Sequence, residues 1–448
     1  MPPKILISGG RVLDPSQSLD RIADVLLTEG KIAWIGDIGK APSQSGLVTI
    51  HAAGLVVSPG FIDLHCHLRQ PGFEAKETIT TGTRAAAKGG FTTVCCMPNT
   101  DPPLDSQSSI DYVKKIAATD GVVRVLPIGC ITKGRQGKEL TDMKELARAG
   151  VVGFSDDGNP VPSSKIMHQA MDYAHTLELP VIDHCEDKEL TEGGQMNDGW
   201  VATRLGLKGI PNAAEEIIVA RDIALAQLTG AKLHVAHVST EASVEIIRRA
   251  KEKGIKVTAE VTPHHLTLTE EQVMSKNPGQ PLAYDTNAKV NPPLRTRDDI
   301  TALIKGLKDG TIDAIATDHA PHTLADKICE FNSAAFGISG LETAFACLMC
   351  LVHEAKLDLT TLISKLTLGP ARIIGTKYGE LGTIRAGCQA DITILDPNKE
   401  WIVNSRDFVS KGKNTPFDGC QFRGKIVATI VAGKIVHQED LTRKVIDG

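Results

Sequence analysis

Pro59-Gly60-Phe61-Ile62-Asp63-Leu64-His65-Cys66-His67-Leu68-Arg69-Gln70-Pro71-Gly72 is the stretch on which the reading of this chain turns. An apolar run from Leu55 to Leu64 leads into it and reads as one buried strand. Residues i and i+2 of a strand point to the same side. His65 and His67 can therefore reach one point in space from a rigid base, which is what a metal ion requires. Two strand histidines satisfied by ordinary hydrogen bonds are the plain alternative, and the rest of the chain decides between the two.

Downstream of about residue 56, apolar strand-like runs alternate with helix-like stretches eight times. The strand-like runs end at His65-Cys66-His67, Met97-Pro98-Asn99, Ile128-Gly129 and Ser155-Asp156-Asp157-Gly158. They continue with His184-Cys185-Glu186-Asp187, His237-Val238-Ser239, Thr262-Pro263-His264-His265 and Thr317-Asp318-His319-Ala320. Helices are predicted over Ile79–Lys88, Gln107–Ala118, Ser163–Leu177, Ala213–Leu228 and Glu241–Lys253, the last capped by Thr240 and stopped by Gly254. Eight such repeats predict an α/β chain built on a closed (β/α)8 TIM barrel, with an active site at the C-terminal ends of the strands. An open doubly wound sheet is the alternative, but no Gly-x-Gly-x-x-Gly turn follows any strand.

Both flanks differ from this core. Short strands with no helical period are predicted at Ile5–Ile7, Asp24–Leu27 and Lys31–Ile35, then again at Asp391–Leu395, Glu400–Val403 and Lys425–Val431. The predicted organisation is a barrel domain over 56–372 and a small composite β-sandwich domain that joins residues 1–55 to 373–448.

Composition agrees with a parallel α/β protein. Of 448 residues 42% are hydrophobic and only 4% aromatic, a balance that favours parallel strands over an aromatic-rich sandwich. The net charge of -5, from 49 basic and 54 acidic residues without long runs of one sign, argues against nucleic-acid or membrane-surface binding. The start, Met1-Pro2-Pro3-Lys4-Ile5-Leu6-Ile7, lacks a signal-peptide pattern, and no apolar run is long enough to span a bilayer, so the cytoplasm is expected. Ten cysteines are spread along the chain and read as reduced core thiols. Cys347 and Cys350 have Cys-x-x-Cys spacing but lie in a helical pattern with no second pair.

The strand ends together offer His65, His67, Asp157, His184, His237 and Asp318. A mixed imidazole and carboxylate set suits zinc first, then cobalt or manganese. Six ligands exceed one tetrahedral site, so two ions bridged by a carboxylate and a water are the economical arrangement.

Gly60 to Gly72 resembles the signature of the amidohydrolase superfamily, and of its cyclic amidases in particular. Met97-Pro98-Asn99-Thr100, Asn291-Pro292-Pro293-Leu294-Arg295, Thr317 to His322 and Gly337 to Thr343 narrow the resemblance to the dihydroorotases. The type resembled is the longer bacterial one, related to the dihydroorotase part of the animal multifunctional pyrimidine protein, and the similarity covers essentially the whole chain. It implies that His65, His67 and Asp318 hold one zinc ion and His184 and His237 a second, with Asp157 and a hydroxide as bridges. Many relatives bridge with a carboxylated lysine on strand 4, where this chain has none and reads Ser155-Asp156-Asp157; Asp156 is the rival bridge.

The resemblance further implies that Arg69 binds the substrate carboxylate with help from Asn99 and His322, that Asn291 touches the ring amide, and that Asp318 is the catalytic base and acid. The implied reaction is reversible hydrolysis of dihydroorotate to N-carbamoyl-aspartate in pyrimidine biosynthesis. The implied partners are a second copy of the chain, as a homodimer, and aspartate carbamoyltransferase. Two rival readings are another cyclic amidase (a hydantoinase or allantoinase) and a non-catalytic dihydroorotase-like subunit of that transferase. His319 is assigned a supporting role beside Asp318. His264, His265 and His234 are left outside the site, and the turn-rich stretch Ser275 to Tyr284 is expected to form a loop over it.

Overall fold

The computed structural model describes residues 2–274 and 284–439. Of the expected loop Ser275 to Tyr284, all but Tyr284 lies outside the described residues.

The amino-terminal flank supplies β1 (Lys4–Asp14), β2 (Leu19–Thr28), β3 (Lys31–Gly36), β4 (Leu47–His51) and β5 (Val56–Pro59). β6 (Phe61–Cys66), β7 (Phe91–Cys96), β8 (Arg124–Pro127) and β9 (Val181–Asp183) follow, then a small ribbon of β10 (Met196–Asn197) and β11 (Gly209–Ile210). β12 (Leu233–Val235), β13 (Val257–Val261) and β14 (Ala314–Ile315) come next, and the carboxyl-terminal flank adds β15 (Ile392–Ile402), β16 (Gln421–Val431) and β17 (Lys434–Gln438).

A barrel closes through parallel pairs. β6 pairs with β7 and β7 with β8. The fourth position is held by Phe154, which bridges to Gly129 on one side and Val181 on the other. β9, β12, β13 and β14 then follow in order. Closure is made by a bridge between Cys66 and His319, with the His67 amide donating to the His319 carbonyl at 2.8 Å. Ile62, Leu64, Cys95 and Met97 pack in one apolar cluster while Phe61, Val94 and Cys96 join another. Strands covered on both faces are what a barrel ringed by helices demands. The predicted helices form at Ile79–Lys88, Gln107–Asp120, Ser164–Thr176, Ala213–Thr229 and Glu241–Glu252. Thr240 caps the last by accepting from the Ser243 amide.

The two flanks combine into one eight-stranded sheet in the order β17-β16-β15-β5-β1-β2-β3, with β4 beside β1. Its own core includes Ile5, Ile7, Val25, Ile392, Ile394 and Ile430. The single strand expected from Leu55 to Leu64 is in fact two. β5 pairs with β1 and with β15 in the flank sheet, and Gly60 turns the chain into the barrel. A Cβ on Gly60 would lie 2.2 Å from the Thr92 side chain, so only glycine permits this passage. The expected boundary at 55/56 therefore falls one strand early, and the helix Leu368–Ile374 runs across the expected boundary at 372/373.

Candidate active site

A cavity of about 530 Å³ opens at the C-terminal ends of the barrel strands, where this fold carries its chemistry. His67, Asp157, His184, His237 and Asp318 line it, together with Arg69, Asn99, Asn291 and His322. His65 lies beneath, fully buried, with its Nε2 3.4 Å from Asp157 Oδ1 and 3.5 Å from Asp318 Oδ1. His67 Nε2 is 3.0 Å from Asp318 Oδ1 and 3.7 Å from Asp157 Oδ2. His184 Nδ1 faces His237 Nε2 at 2.8 Å, and these atoms stand 3.7 and 3.8 Å from Asp157 Oδ1. The structure thus places four candidate histidines within 4 Å of Asp157, with Asp318 beside His65 and His67. Potential ligand atoms cluster within 4.8 Å in two overlapping groups, His65-His67-Asp318 and His65-Asp157-His237. Asp156, the rival bridge, turns away: its carboxylate accepts the Ile131 and Thr132 amides and the Thr132 hydroxyl.

These positions are built with backbone strain. The β6–β7 register slips between Asp63 and Cys66, beside His65, and such irregularities re-aim side chains next to active sites. Arg69, His237 and Asp318 adopt φ values of 61, 31 and 45°. Left-handed backbone in such residues costs roughly 1–3 kcal/mol each and persists where the surrounding fold enforces it.

The electrostatics fit a cation. His65 Nδ1 is engaged by Glu260 Oε1 at 2.9 Å, while the buried Nε2 has no hydrogen-bond partner among the described residues and faces two carboxylates. Burial alone would lower the affinity of His65 for a proton, but Asp157, Glu260 and Asp318 raise it well above the ordinary histidine value. A place that draws a proton so strongly draws a metal ion for the same reason. Burial would likewise push the Asp157 and Asp318 carboxyls up, yet His65, His67 and His237 hold both well below the usual carboxylate range. Burial and the nearby Arg69 charge keep His67 below its ordinary value, so its imidazole is neutral and has a lone pair to give. The donor set and the orphaned His65 nitrogen together fit a metal centre.

Several supports were not legible along the chain. Glu260 accepts from His65 and, at 3.1 Å, from His234 Nε2, so His234 has a role after all, in holding the carboxylate that orients a ligand. Glu186 Oε2 contacts His184 Nε2 at 2.9 Å, Lys188 at 2.6 Å and the Asn291 amide at 3.1 Å. The only sequence signal for Glu260 is a carboxylate inside the apolar strand Val257–Val261. Asn99 lines the cavity but its amide is committed at both ends, to His67 Nδ1 at 2.9 Å and Asp157 Oδ2 at 3.2 Å. His319 meets Glu77 at 3.2 Å, away from the cluster, and supports the site through its backbone. His265 bonds Thr262 and the Pro292 carbonyl, whereas His264 Nε2 is buried without a hydrogen-bond partner among the described residues.

Among the described residues the Arg69 guanidinium contacts only the Pro321 carbonyl, at 3.3 Å, and the His322 ring, at 3.4 Å. His322 is pushed down to about 3 by burial and by the charges of Arg69 and Lys76, so its ring is neutral, and Nε2 donates to the Phe336 carbonyl at 2.9 Å. Among the described residues no carboxylate pairs with Arg69. A positive fork is left facing the cavity.

A Dihydro-orotase-like family model matches residues 54–243, and an amidohydrolase family model matches 295–437. The chain is 53% identical to the dihydroorotase of Caldanaerobacter subterraneus subsp. tengcongensis, over 98% of each chain. It is 48% identical to that of Syntrophus aciditrophicus, over 98% of this chain and all of the relative. The L-hydantoinase (dihydropyrimidinase) of Arthrobacter aurescens superposes with a TM-score of 0.85 at 26% identity, over 97% of this chain and 96% of the other. The dihydropyrimidinase of Brevibacillus agri, at 24% identity and a TM-score of 0.83 over 97% and 95% of the two chains, shares the fold. No helix among the described residues is long and apolar enough to cross a membrane. With near-complete coverage at about half identity, the chain belongs to the dihydroorotase family of the metal-dependent cyclic amidohydrolases.

Proposed function

We propose that this protein is a dihydroorotase, which hydrolyses (S)-dihydroorotate reversibly to N-carbamoyl-L-aspartate in the cytoplasmic synthesis of pyrimidines. The observation that carries this reading is Arg69, a cation with no carboxylate partner among the described residues, beside the candidate ligands in a cavity of about 530 Å³. A planar guanidinium recognises a carboxylate through paired hydrogen bonds. Dihydroorotate carries one next to its cyclic amide; hydantoin and allantoin carry none. The dihydroorotases that match this chain over nearly its whole length support the same choice.

His65, His67 and Asp318 would hold one zinc ion and His184 and His237 a second, with Asp157 between them. When bound, such ions polarise a carbonyl and lower the pKa of water toward neutrality. The chain supplies the rest. Arg69 holds the substrate carboxylate, with His322 at its side, and Asn291 contacts the ring amide. Water adds to the amide carbon and the carbon–nitrogen bond breaks. Asp318, ionised at neutral pH, takes the proton from the attacking water and passes it to the departing ring nitrogen. In the synthetic direction the same carboxyl group gives the proton back.

Metal content per chain should be measured alongside turnover of dihydroorotate, hydantoin and allantoin. Two zinc ions and a strong preference for dihydroorotate are expected; a fully loaded protein inactive on dihydroorotate would overturn the reading. Sizing in solution, and assays with and without aspartate carbamoyltransferase, test the homodimer and the complex that the family resemblance suggests.

A further inference from the structure

Two lysines behind one wall of the cavity have no part in the hydrolytic chemistry. Lys289 and Lys327 are each only 2% exposed, and among the described residues neither forms an ion pair with a carboxylate. An ammonium group has three N–H donors and accepts nothing, and each lysine meets three acceptors. Lys327 Nζ donates to the carbonyls of Ala335, Gly337 and Lys289 at 2.7, 3.0 and 3.3 Å. Lys289 Nζ donates to Gln195 Oε1 at 2.5 Å and to the carbonyls of Phe331 and Asn332 at 2.6 and 3.3 Å. The Phe336 and Phe331 rings lie 4.4 and 5.2 Å from the same ammonium.

Burying a charge against dipoles alone is expensive, and a methionine of similar length would fill either space without that cost. What the ammonium groups add is a junction. Lys289 ties the segment before Asn291 to Gln195 and to the Phe331–Asn332 turn, and its own carbonyl accepts the Gly337 amide at 2.9 Å. Lys327 gathers Ala335 and Gly337 onto that same carbonyl. The joined segments present Gln195, Val290, Asn291, Phe336 and Gly337 to the cavity. They also supply the Phe336 carbonyl that orients His322 beside Arg69.

We propose that Lys289 and Lys327 are positioning residues for the substrate-facing wall. Their ammonium groups lock together the segments bearing Gln195, Asn291 and Phe336–Gly337 in the shape that receives a carboxylate-bearing cyclic amide, and they act on substrate binding rather than on the metal centre. This inference rests on the dihydroorotase reading for the identity of the substrate.

The test uses the full chain loaded with zinc and compares it with K327M and K327R. Arginine keeps the charge but replaces a pyramidal donor with a planar fork. Metal content, KM and kcat for dihydroorotate, and backbone hydrogen exchange over residues 331–337 are read on each. Both variants should keep the metal and kcat within about threefold, raise KM about tenfold or more, and exchange faster over 331–337. Should K327M not fold, K289M carries the same comparison. An unchanged KM in a folded K327M, loss of metal, or a K327R indistinguishable from the natural chain would overturn the proposal. A natural chain inactive on dihydroorotate would instead sink the functional reading, which separates the two failures.

Discussion

The two walls of the cavity are built on opposite principles. On one side the candidate ligands stand at the ends of strands in a closed barrel, and charged partners hold them: Glu260 on His65, Glu186 on His184, and Asp63 accepting the Thr317 amide and hydroxyl one residue before Asp318. On the other side Asn291, His322 and Gly337 stand on connections beyond the strands, and lysine ammonium groups bound to carbonyls hold those connections in place. Groups that must meet at one point need a rigid base, whereas groups that choose a substrate can be carried on loops joined by local bonds. Damage to the strand wall should therefore cost turnover or metal, and damage to the loop wall should cost recognition.

The largest break in that comparison is expected from Asp318→Asn. Its amide oxygen can still face a metal but cannot shuttle a proton, so turnover should fall about 10²–10⁴-fold with metal content near that of the natural chain. Near-normal turnover in a metal-loaded variant would remove Asp318 from its role. Glu260→Gln probes the same wall from behind. Glutamine retains an acceptor for His65 but not the negative charge, and zinc affinity should fall about 10- to 100-fold, read by competition with a chelator while the KM of the reloaded enzyme holds. Equal zinc affinity would show that Glu260 is only a packing group.

Arg69→Met tests the loop side. Losing hydrogen bonds to a charged ligand should raise KM for dihydroorotate about tenfold or more, with any residual hydantoin hydrolysis unaffected; a parallel loss of both activities would mean that Arg69 supports the metal centre instead. The smallest effect is in stability. Burial brings the Lys327 ammonium down to about 7 from 10.5, with the Lys289 charge adding to the shift. Between those two values the unfolded chain holds a proton that the folded chain sheds, so the three-donor ammonium junction at Lys327 is complete only toward and below pH about 7. Stability contributed by this residue must then rise as pH climbs through that window. Urea unfolding at pH about 7 and about 9, at constant zinc, should show this rise in the natural chain and a flatter response in K327M.

The strand ends are legible in the chain because a barrel carries its chemistry at a predictable place. Each of His65, His67, Asp157, His184, His237 and Asp318 follows an apolar run, and geometry does the rest. Glu260 was not legible in the same way. Its partner His65 is 195 residues distant, and a lone carboxylate inside an apolar strand does not say which imidazole it faces. β5 was misplaced because an apolar run carries no mark of which sheet it joins; its partners lie in β1 and β15. The lysines at 289 and 327 look in sequence like surface charges, since nothing local announces that carbonyls will surround them.

What the sequence by itself determined was the order of alternating elements, the residue types at each strand end and the pairing of two distant flanks, all of which rest on local periodicity and on the chemistry of single side chains. Only the tertiary structure decided which carboxylate of Asp156 and Asp157 turns inward, which histidine nitrogen is left free, and which cations are buried without anions. Those outcomes depend on distances between segments far apart in the chain, and such distances exist only once the barrel has closed.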